Sequence, residues 1–315
     1  MSKFAFIFPG QGSQFIGMGK DLADNFSSAK AVFEEVDSAL GQDLSGLIWS
    51  GSEDELKLTA NTQPALMAVS VAAMRALEEA HGIGVDKAAF IAGHSLGEYS
   101  ALASANAITV GDCAKVLRIR GNAMQDAVPS GEGAMAALLG ASPEQAADLC
   151  AAGASEGPCE IANDNAPGQI VISGAKTAVE LAISGAKEAG VKKAVLLPVS
   201  APFHCSLMQP AADAMAAARS EIEIKAPVAP LVANVTAIAG ADPEAIRNQL
   251  VAQVTGQVRW TESVQYMAAE GVELTIEAGA GKVLSVMNRR TVRALEGLTM
   301  GIPDEINAVA ERLNA

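Results

Sequence analysis

Gly93-His94-Ser95-Leu96-Gly97 constrains this chain more than any other stretch. An apolar run, Ala88 to Ala92, leads into it, and a run compatible with helix, Glu98 to Ala105, follows. A serine between two glycines at such a junction predicts a strand–turn–helix elbow. The elbow lifts the Ser95 hydroxyl out of a sharp turn. It also aims the next backbone N–H, that of Leu96, at the same point. One tight turn thus supplies a candidate nucleophile and half of an oxyanion hole.

The rest of the chain reads as the scaffold for that turn. Phe4 to Phe8 is a short apolar run, expected to be a buried strand, and it ends in the turn-rich loop Pro9 to Gln14. Helical patterns are expected over Asn25 to Leu40, over Pro64 to Ala80 with Pro64 in the first turn, and over Gly111 to Ala127. Strands alternating with helices predict a parallel sheet covered on both faces. From Gly133 to Val199 the rhythm changes to β-α-β-β-α-β, the order of a ferredoxin-like unit. Residues 131–198 are therefore expected to form a small domain inserted into a large one built from 1–130 and 199–315. Alternation resumes with a strand over Leu231 to Asn234, helices over Pro243 to Val254 and Thr261 to Ala269, a strand over Leu274 to Glu277 and a helix over Gly281 to Arg290.

Composition narrows the function classes. Half of the 315 residues are hydrophobic, enough for a large core. The formal net charge of −14 argues against a nucleic-acid partner. No apolar run reaches the ~18 residues that a membrane span needs. With no signal-peptide pattern and four cysteines lacking C-x-x-C spacing, a cytoplasmic protein with reduced thiols is expected. A phosphate-bearing or acidic partner would need a local basic patch. The candidates are Lys115, Arg118, Lys192, Lys193, Arg289, Arg290 and Arg293, each otherwise a solvated surface charge.

A serine hydroxyl needs a base within hydrogen-bond reach. Of the three histidines, His81 stands at a helix C-terminus, where a helix dipole explains it. His94 adjoins Ser95 on the turn, where neighbouring side chains diverge. His204, in a loop after the Ala194 strand, fits the Ser-then-His chain order of α/β hydrolases. Asp213 and Glu221 both follow His204 and break the usual order for a third, acidic member. A Ser–His pair whose imidazole is held by a backbone carbonyl is the reading that remains. Gln11, in the loop after the first strand, could face Ser95 and add a second oxyanion donor. A phosphate cradle there is the weaker rival, since neither G-x-G-x-x-G spacing nor a Walker lysine occurs. Arg120 precedes a glycine on an otherwise apolar helix. Buried, it would bind a carboxylate through its fork; exposed, it is a surface charge. No metal-binding spacing occurs.

These residues and several ordered motifs together resemble the malonyl-coenzyme A:acyl carrier protein transacylases of bacterial fatty-acid synthesis. The motifs are Phe8-Pro9-Gly10-Gln11-Gly12-Ser13-Gln14, Thr62-Gln63-Pro64-Ala65, Gly93-His94-Ser95-Leu96-Gly97-Glu98-Tyr99, Arg120-Gly121, Asn165-Ala166-Pro167-Gly168-Gln169, Phe203-His204 and Gly279-Ala280-Gly281-Lys282-Val283-Leu284. The resemblance implies an α/β-hydrolase-like large domain with the ferredoxin-like insertion. It implies that Ser95 is acylated by malonyl, that His204 is its base, and that Gln11 and the Leu96 N–H form the oxyanion hole. Arg120 would hold the malonyl carboxylate, the Gln253 main-chain carbonyl would orient His204, and Asn165 would line the cleft between domains. Phe203 occupies the position that goes with malonyl in related polyketide acyltransferases. The partners implied are malonyl-coenzyme A as substrate and acyl carrier protein as acceptor, with no cofactor, no nucleic acid and no membrane; a monomer is expected. A serine thioesterase using the same Ser–His pair, or a non-catalytic carrier-binding relative, are the alternatives.

Overall fold

The computed structural model describes residues 2–199, 201–218 and 222–315. Its strands are β1 (Phe4–Phe8), β2 (Phe90–Gly93), β3 (Gly133–Leu139), β4 (Cys159–Ala166), β5 (Gln169–Ala175), β6 (Lys193–Leu196), β7 (Leu231–Val232), β8 (Ala239–Gly240), β9 (Val258–Arg259), β10 (Leu274–Ala278) and β11 (Glu296–Met300). They form two sheets within a mixed α/β architecture. The larger has the order β11-β10-β1-β2-β7-β8. All its pairings are parallel except β7 with β8. The smaller has the order β6-β3-β5-β4-β9, antiparallel except that β4 and β9 run parallel.

The sequence pattern explains the large sheet. Every residue of β1, β2 and β10 is buried, as expected where helices cover both faces of parallel strands. One apolar cluster joins helices Ser27–Leu40, Thr59–His81 and Val110–Asp126 to one face, drawing Phe6, Phe8 and Ile91 into it. A second gathers Ala5, Ile7 and Ala92 on the opposite face against Trp260 and Val264 of helix Trp260–Ala269. Alternate residues of β1 thus feed the two clusters, which follows from the two-residue repeat of a strand. A third cluster lies in the small sheet, beneath helices Pro143–Gly153 and Lys176–Ser184.

Four expectations are corrected. The helix expected from Asn25 to Leu40 starts later, at Ser27, because the extended Phe26 separates it from a preceding helix, Lys20–Asn25. Pro64 is not in the first turn, because its helix begins at Thr59. That earlier start is held by side chains reaching back across the turn: Asn61 Nδ2 and Thr62 Oγ1 donate to the Glu55 and Leu56 carbonyls. The expected strand Leu231 to Asn234 pairs only over Leu231 and Val232, which leaves Asn234 free to turn inward. Arg118 is no solvated charge: it is half-buried, with Nη1 on Asn61 Oδ1 at 2.8 Å and Nη2 on Gln42 Oε1 at 2.7 Å. Strand β11 and helix Pro303–Asn314 had no sequence expectation attached to them. No helix among the described residues is long and apolar enough to cross a membrane.

Candidate active site

Strands β1 and β2 run parallel, with Phe8 beside Gly93 at their C-terminal ends. Both following loops therefore open on one rim, the place where α/β sheets present ligand-binding loops. The loop after β2 is the elbow. Its serine has a positive φ of 53°, a left-handed conformation that costs a non-glycine residue energy. The glycines make room for it. A Cβ on Gly93 would lie 1.9 Å from the Gly97 carbonyl carbon, and one on Gly97 would lie 2.2 Å from the Phe8 carbonyl oxygen. Both obstacles are backbone, so nothing flexible can yield. Gly97→Ala is expected to cost about 1–3 kcal/mol, typical of overpacking, and to slow acylation because the Leu96 N–H moves. Thermal unfolding and acylation rates check this; unchanged values in both would contradict it.

The Ser95 side chain lies between two groups. Its Oγ is 2.8 Å from His204 Nε2 and 3.1 Å from the Arg120 Nη2 donor. His204 is buried and also has a positive φ, 58°. Its Nδ1 faces two main-chain oxygens, Gln253 at 2.9 Å and Gly256 at 3.2 Å. A nitrogen facing two acceptors carries the proton, so Nε2 is left as the acceptor toward the serine hydroxyl. Among the described residues no carboxylate orients the ring. Asp213 is exposed and takes a hydrogen bond from Gln209, and Glu221 lies outside the described residues. Burial, then the nearby Arg120 charge, pushes the His204 pKa down to about 3. The imidazole is therefore neutral, and able to accept a proton, at any ordinary pH.

Arg120 reaches the serine because Gly121 lets helix Val110–Asp126 approach helix Thr59–His81. A Cβ on Gly121 would be 2.6 Å from the Ala60 Cα. Only 1% of Arg120 is exposed. Its Nη1 donates to Gln63 Oε1 at 2.7 Å, and its Nη2 also donates to Gln253 Oε1 at 2.9 Å. The guanidinium carbon stands 5.6 Å from the centre of the Tyr99 ring. Burial lowers the Arg120 pKa, yet an arginine keeps its proton in such a place. A fixed positive charge thus borders a cavity of about 190 Å³. Ser95, Leu96, Gln11 and Arg120 line it from the large sheet; Asn163 and Asn165 line it from β4.

Gln11 borders the cavity, and its side-chain Nε2 donates to Thr59 Oγ1 at 3.3 Å. Asn165 Oδ1 accepts from His94 Nε2 at 2.8 Å, and burial holds His94 below its usual pKa. Gly10 packs directly on His94: a Cβ there would be 2.7 Å from the His94 carbonyl oxygen and 3.1 Å from its ring Nδ1. His81, the last residue of its helix, bonds Asn307 Oδ1 at 3.0 Å and takes no part.

Three site residues had no role assigned from sequence. Gln63 shares the load of Arg120. Asn234 Oδ1 accepts the Ser95 N–H at 2.8 Å, and its Nδ2 donates to the Gly93 carbonyl at 2.7 Å, pinning the elbow from both sides. Glu98 Oε2 accepts from Gln253 Nε2 at 2.6 Å and from the Asn234 N–H at 3.2 Å. Gln63 and Glu98 lie inside motifs that were visible as motifs. The signal for Asn234 was a polar side chain directly after an apolar strand end.

A strained serine on a strand-to-helix turn, a neutral imidazole at 2.8 Å and parallel strands behind them are the arrangement that serine acyl-transfer chemistry needs in a mixed α/β protein. The chain belongs to the acyl transferase domain family, whose model matches residues 5–305. It is 44% identical over 311 residues to the malonyl CoA-acyl carrier protein transacylase of Escherichia coli K12, covering 99% of this chain and 100% of that one. A crystal structure of an acyl-carrier-protein-S-malonyltransferase from Bartonella henselae superposes with a TM-score of 0.97 at 53% identity, covering 99% of this chain and 100% of that one. A malonyl-transacylase solved in complex with a type II PKS acyl-carrier protein gives a TM-score of 0.95 at 42% identity, covering 99% of this chain and 100% of that one.

Proposed function

We propose that this chain moves malonyl from malonyl-coenzyme A to the phosphopantetheine thiol of an acyl carrier protein, through a malonyl ester on Ser95. The observation that carries the choice of acyl group is Arg120. A buried guanidinium 3.1 Å from the nucleophile suits an acyl chain that ends in a carboxylate. The names of the relatives point to the same substrate and acceptor.

In the first half-reaction Ser95 Oγ attacks the thioester carbonyl carbon while His204 Nε2 takes the hydroxyl proton. The carbonyl oxygen becomes an oxyanion held by the Leu96 N–H and by Gln11. Since the Gln11 side chain is engaged with Thr59, its main-chain N–H is the donor assigned. The C–S bond breaks and the departing sulfur takes the proton from His204. In the second half-reaction the carrier thiol gives its proton to His204 and attacks the ester. The C–O bond breaks and Ser95 recovers a proton. Gln253 keeps the imidazole in its working tautomer through its main-chain oxygen, and Asn165 keeps the His94 ring against the cleft wall. Each step uses side-chain and main-chain groups of the protein and two thiols, and calls for no cofactor.

The architecture suits this reading. The antiparallel order β6-β3-β5-β4 supports a ferredoxin-like domain over 131–198, inserted into an α/β-hydrolase-like domain of 1–130 and 199–315. That small sheet is completed by β9, a strand contributed by the large segment. The cleft between them is where a long thioester arm would lie. Four buried free cysteines fit a cytoplasmic setting.

The test is an intact-mass measurement with malonyl-coenzyme A. The protein is expected to gain one malonyl group, to hold it until carrier protein is added, and then to lose it to the carrier. Ser95→Ala is expected to gain nothing. Rapid release of free malonate without carrier would instead make the chain a hydrolase, and no mass gain at all would remove the catalytic reading.

A further inference from the structure

Arg120 is not the only buried group at this site with a charge to settle. Glu98, on helix Gly97–Ser104, is completely buried, and its Oε1 has no hydrogen-bond partner among the described residues. Its Oε2 holds Gln253 Nε2, and the other end of that same amide, Oε1, holds Arg120 Nη2. One amide therefore stands between a buried carboxyl and a buried guanidinium. A carboxylate oxygen that deep and unpaired is costly, and proximity to a positive charge offsets the cost.

Among the described residues, the other ionisable groups facing this cluster carry no charge near neutral pH, with the exception of Arg247, which is turned elsewhere. Helix Val110–Asp126 presents Cys113, and the same helix as Glu98 presents Tyr99; burial pushes both well above their usual range. His94 on the elbow and His204 on its loop are both held neutral. Residues 59–74 of helix Thr59–His81, β1 and β7 contain no ionisable side chain. Helix Pro243–Thr255 presents Arg247, whose Nη1 is turned to the Ile222 carbonyl. Arg120 and Glu98 are left to balance each other.

We propose that Glu98 is a proton-linked specificity residue: when a substrate carboxylate engages Arg120, the Glu98 carboxylate takes up one proton, so that the buried cluster never holds two anions against one guanidinium. The inference rests on the malonyl reading above. The proton comes from solvent and binds the unpaired Oε1; both hydrogen bonds to Oε2 survive. Glu98 is already poised for this, since burial pushes its pKa up to about 7 against the lowering pull of Gln253, Asn234 and Arg120. A second carboxylate on Arg120 would push it higher. The sign follows from linkage: binding that takes up a proton weakens as pH rises through the free-state value.

The experiment compares kcat/KM for acylation by malonyl- and acetyl-coenzyme A over about pH 6 to 8.5. The ratio cancels the titration of coenzyme A, Ser95 and His204. For the unaltered protein the malonyl-to-acetyl ratio is expected to fall on the order of tenfold between about pH 7 and 8.5. Glu98→Gln keeps an acceptor for Gln253 and removes the proton site, so its ratio is expected to be flat. A binding arm needs no turnover. Ser95→Ala titrated calorimetrically in two buffers of different ionisation enthalpy is expected to take up protons with malonyl-coenzyme A beyond those taken up with acetyl-coenzyme A. A pH-independent ratio with no extra proton uptake overturns the inference and leaves malonyl transfer standing. Absence of malonyl transfer at every pH overturns the functional reading itself.

Discussion

Arg120→Ala is expected to lower kcat/KM for malonyl acylation on the order of 10³-fold while acetyl acylation falls far less. Two charge-assisted hydrogen bonds to a carboxylate contribute about 1.5–3 kcal/mol each. About 4 kcal/mol corresponds to roughly 10³ in rate. The guanidinium is held ready by Gln63 and Gln253, so little ordering cost is left to the substrate. Acetyl offers no carboxylate and leaves that charge facing an apolar methyl, so removing it costs acetyl little. Some loss for acetyl is still expected, because Nη2 also donates to the nucleophile. Arg120→Lys keeps a charge but loses the planar fork, and is expected to recover only part of the malonyl rate. The measurement is acyl-serine formation from both thioesters by rapid-quench mass analysis. An equal loss for the two acyl groups would show that Arg120 serves the nucleophile and not the carboxylate.

Much of this site was legible before the fold was known, for a physical reason. The elbow depends on contacts between residues a few positions apart, and glycine is the only residue that fits at 93 and 97. Short-range steric demands of that kind leave a mark in the sequence. Arg120-Gly121 is a milder case, where a charge stands next to a residue chosen for close helix packing. Gln63, Asn234 and Glu98 were not legible as partners. Their roles arise from contacts spanning up to 155 positions, such as Gln253 with Glu98, and an amide or carboxyl is equally at home on a surface. The same limit explains Arg118, which reads as a surface charge until Asn61 and Gln42 are seen around it. Helix starts failed where side chains decided them: Asn61 and Thr62 extend their helix ahead of Pro64 by bonding backward over the preceding turn.

His204→Ala is expected to slow acylation on the order of 10⁴-fold, the upper end of what a general base contributes. Its replacement leaves the Ser95 hydroxyl with Arg120 as its remaining side-chain partner, a donor that cannot take a proton. The pH profile separates this role from a structural one. With its pKa pushed down to about 3, His204 stays neutral, so acetyl acylation is expected to show no acid limb between about pH 5 and 8. Stability runs in the same direction. As pH falls from 6.5 toward 3, the unfolded chain binds a proton at His204 that the folded chain refuses, so folding weakens through that window. Removing Arg120 takes away the second-largest cause of the depression. The acid limb of Arg120→Ala is therefore expected at a higher pH than that of the unaltered protein, although the His204 hydrogen bonds to Gln253 and Gly256 remain. A limb near 6.5 in the unaltered protein would mean that water reaches the imidazole. A base that water reaches would also deliver water to an acyl-serine, so the same burial that keeps His204 neutral is expected to let an acyl ester wait for a thiol.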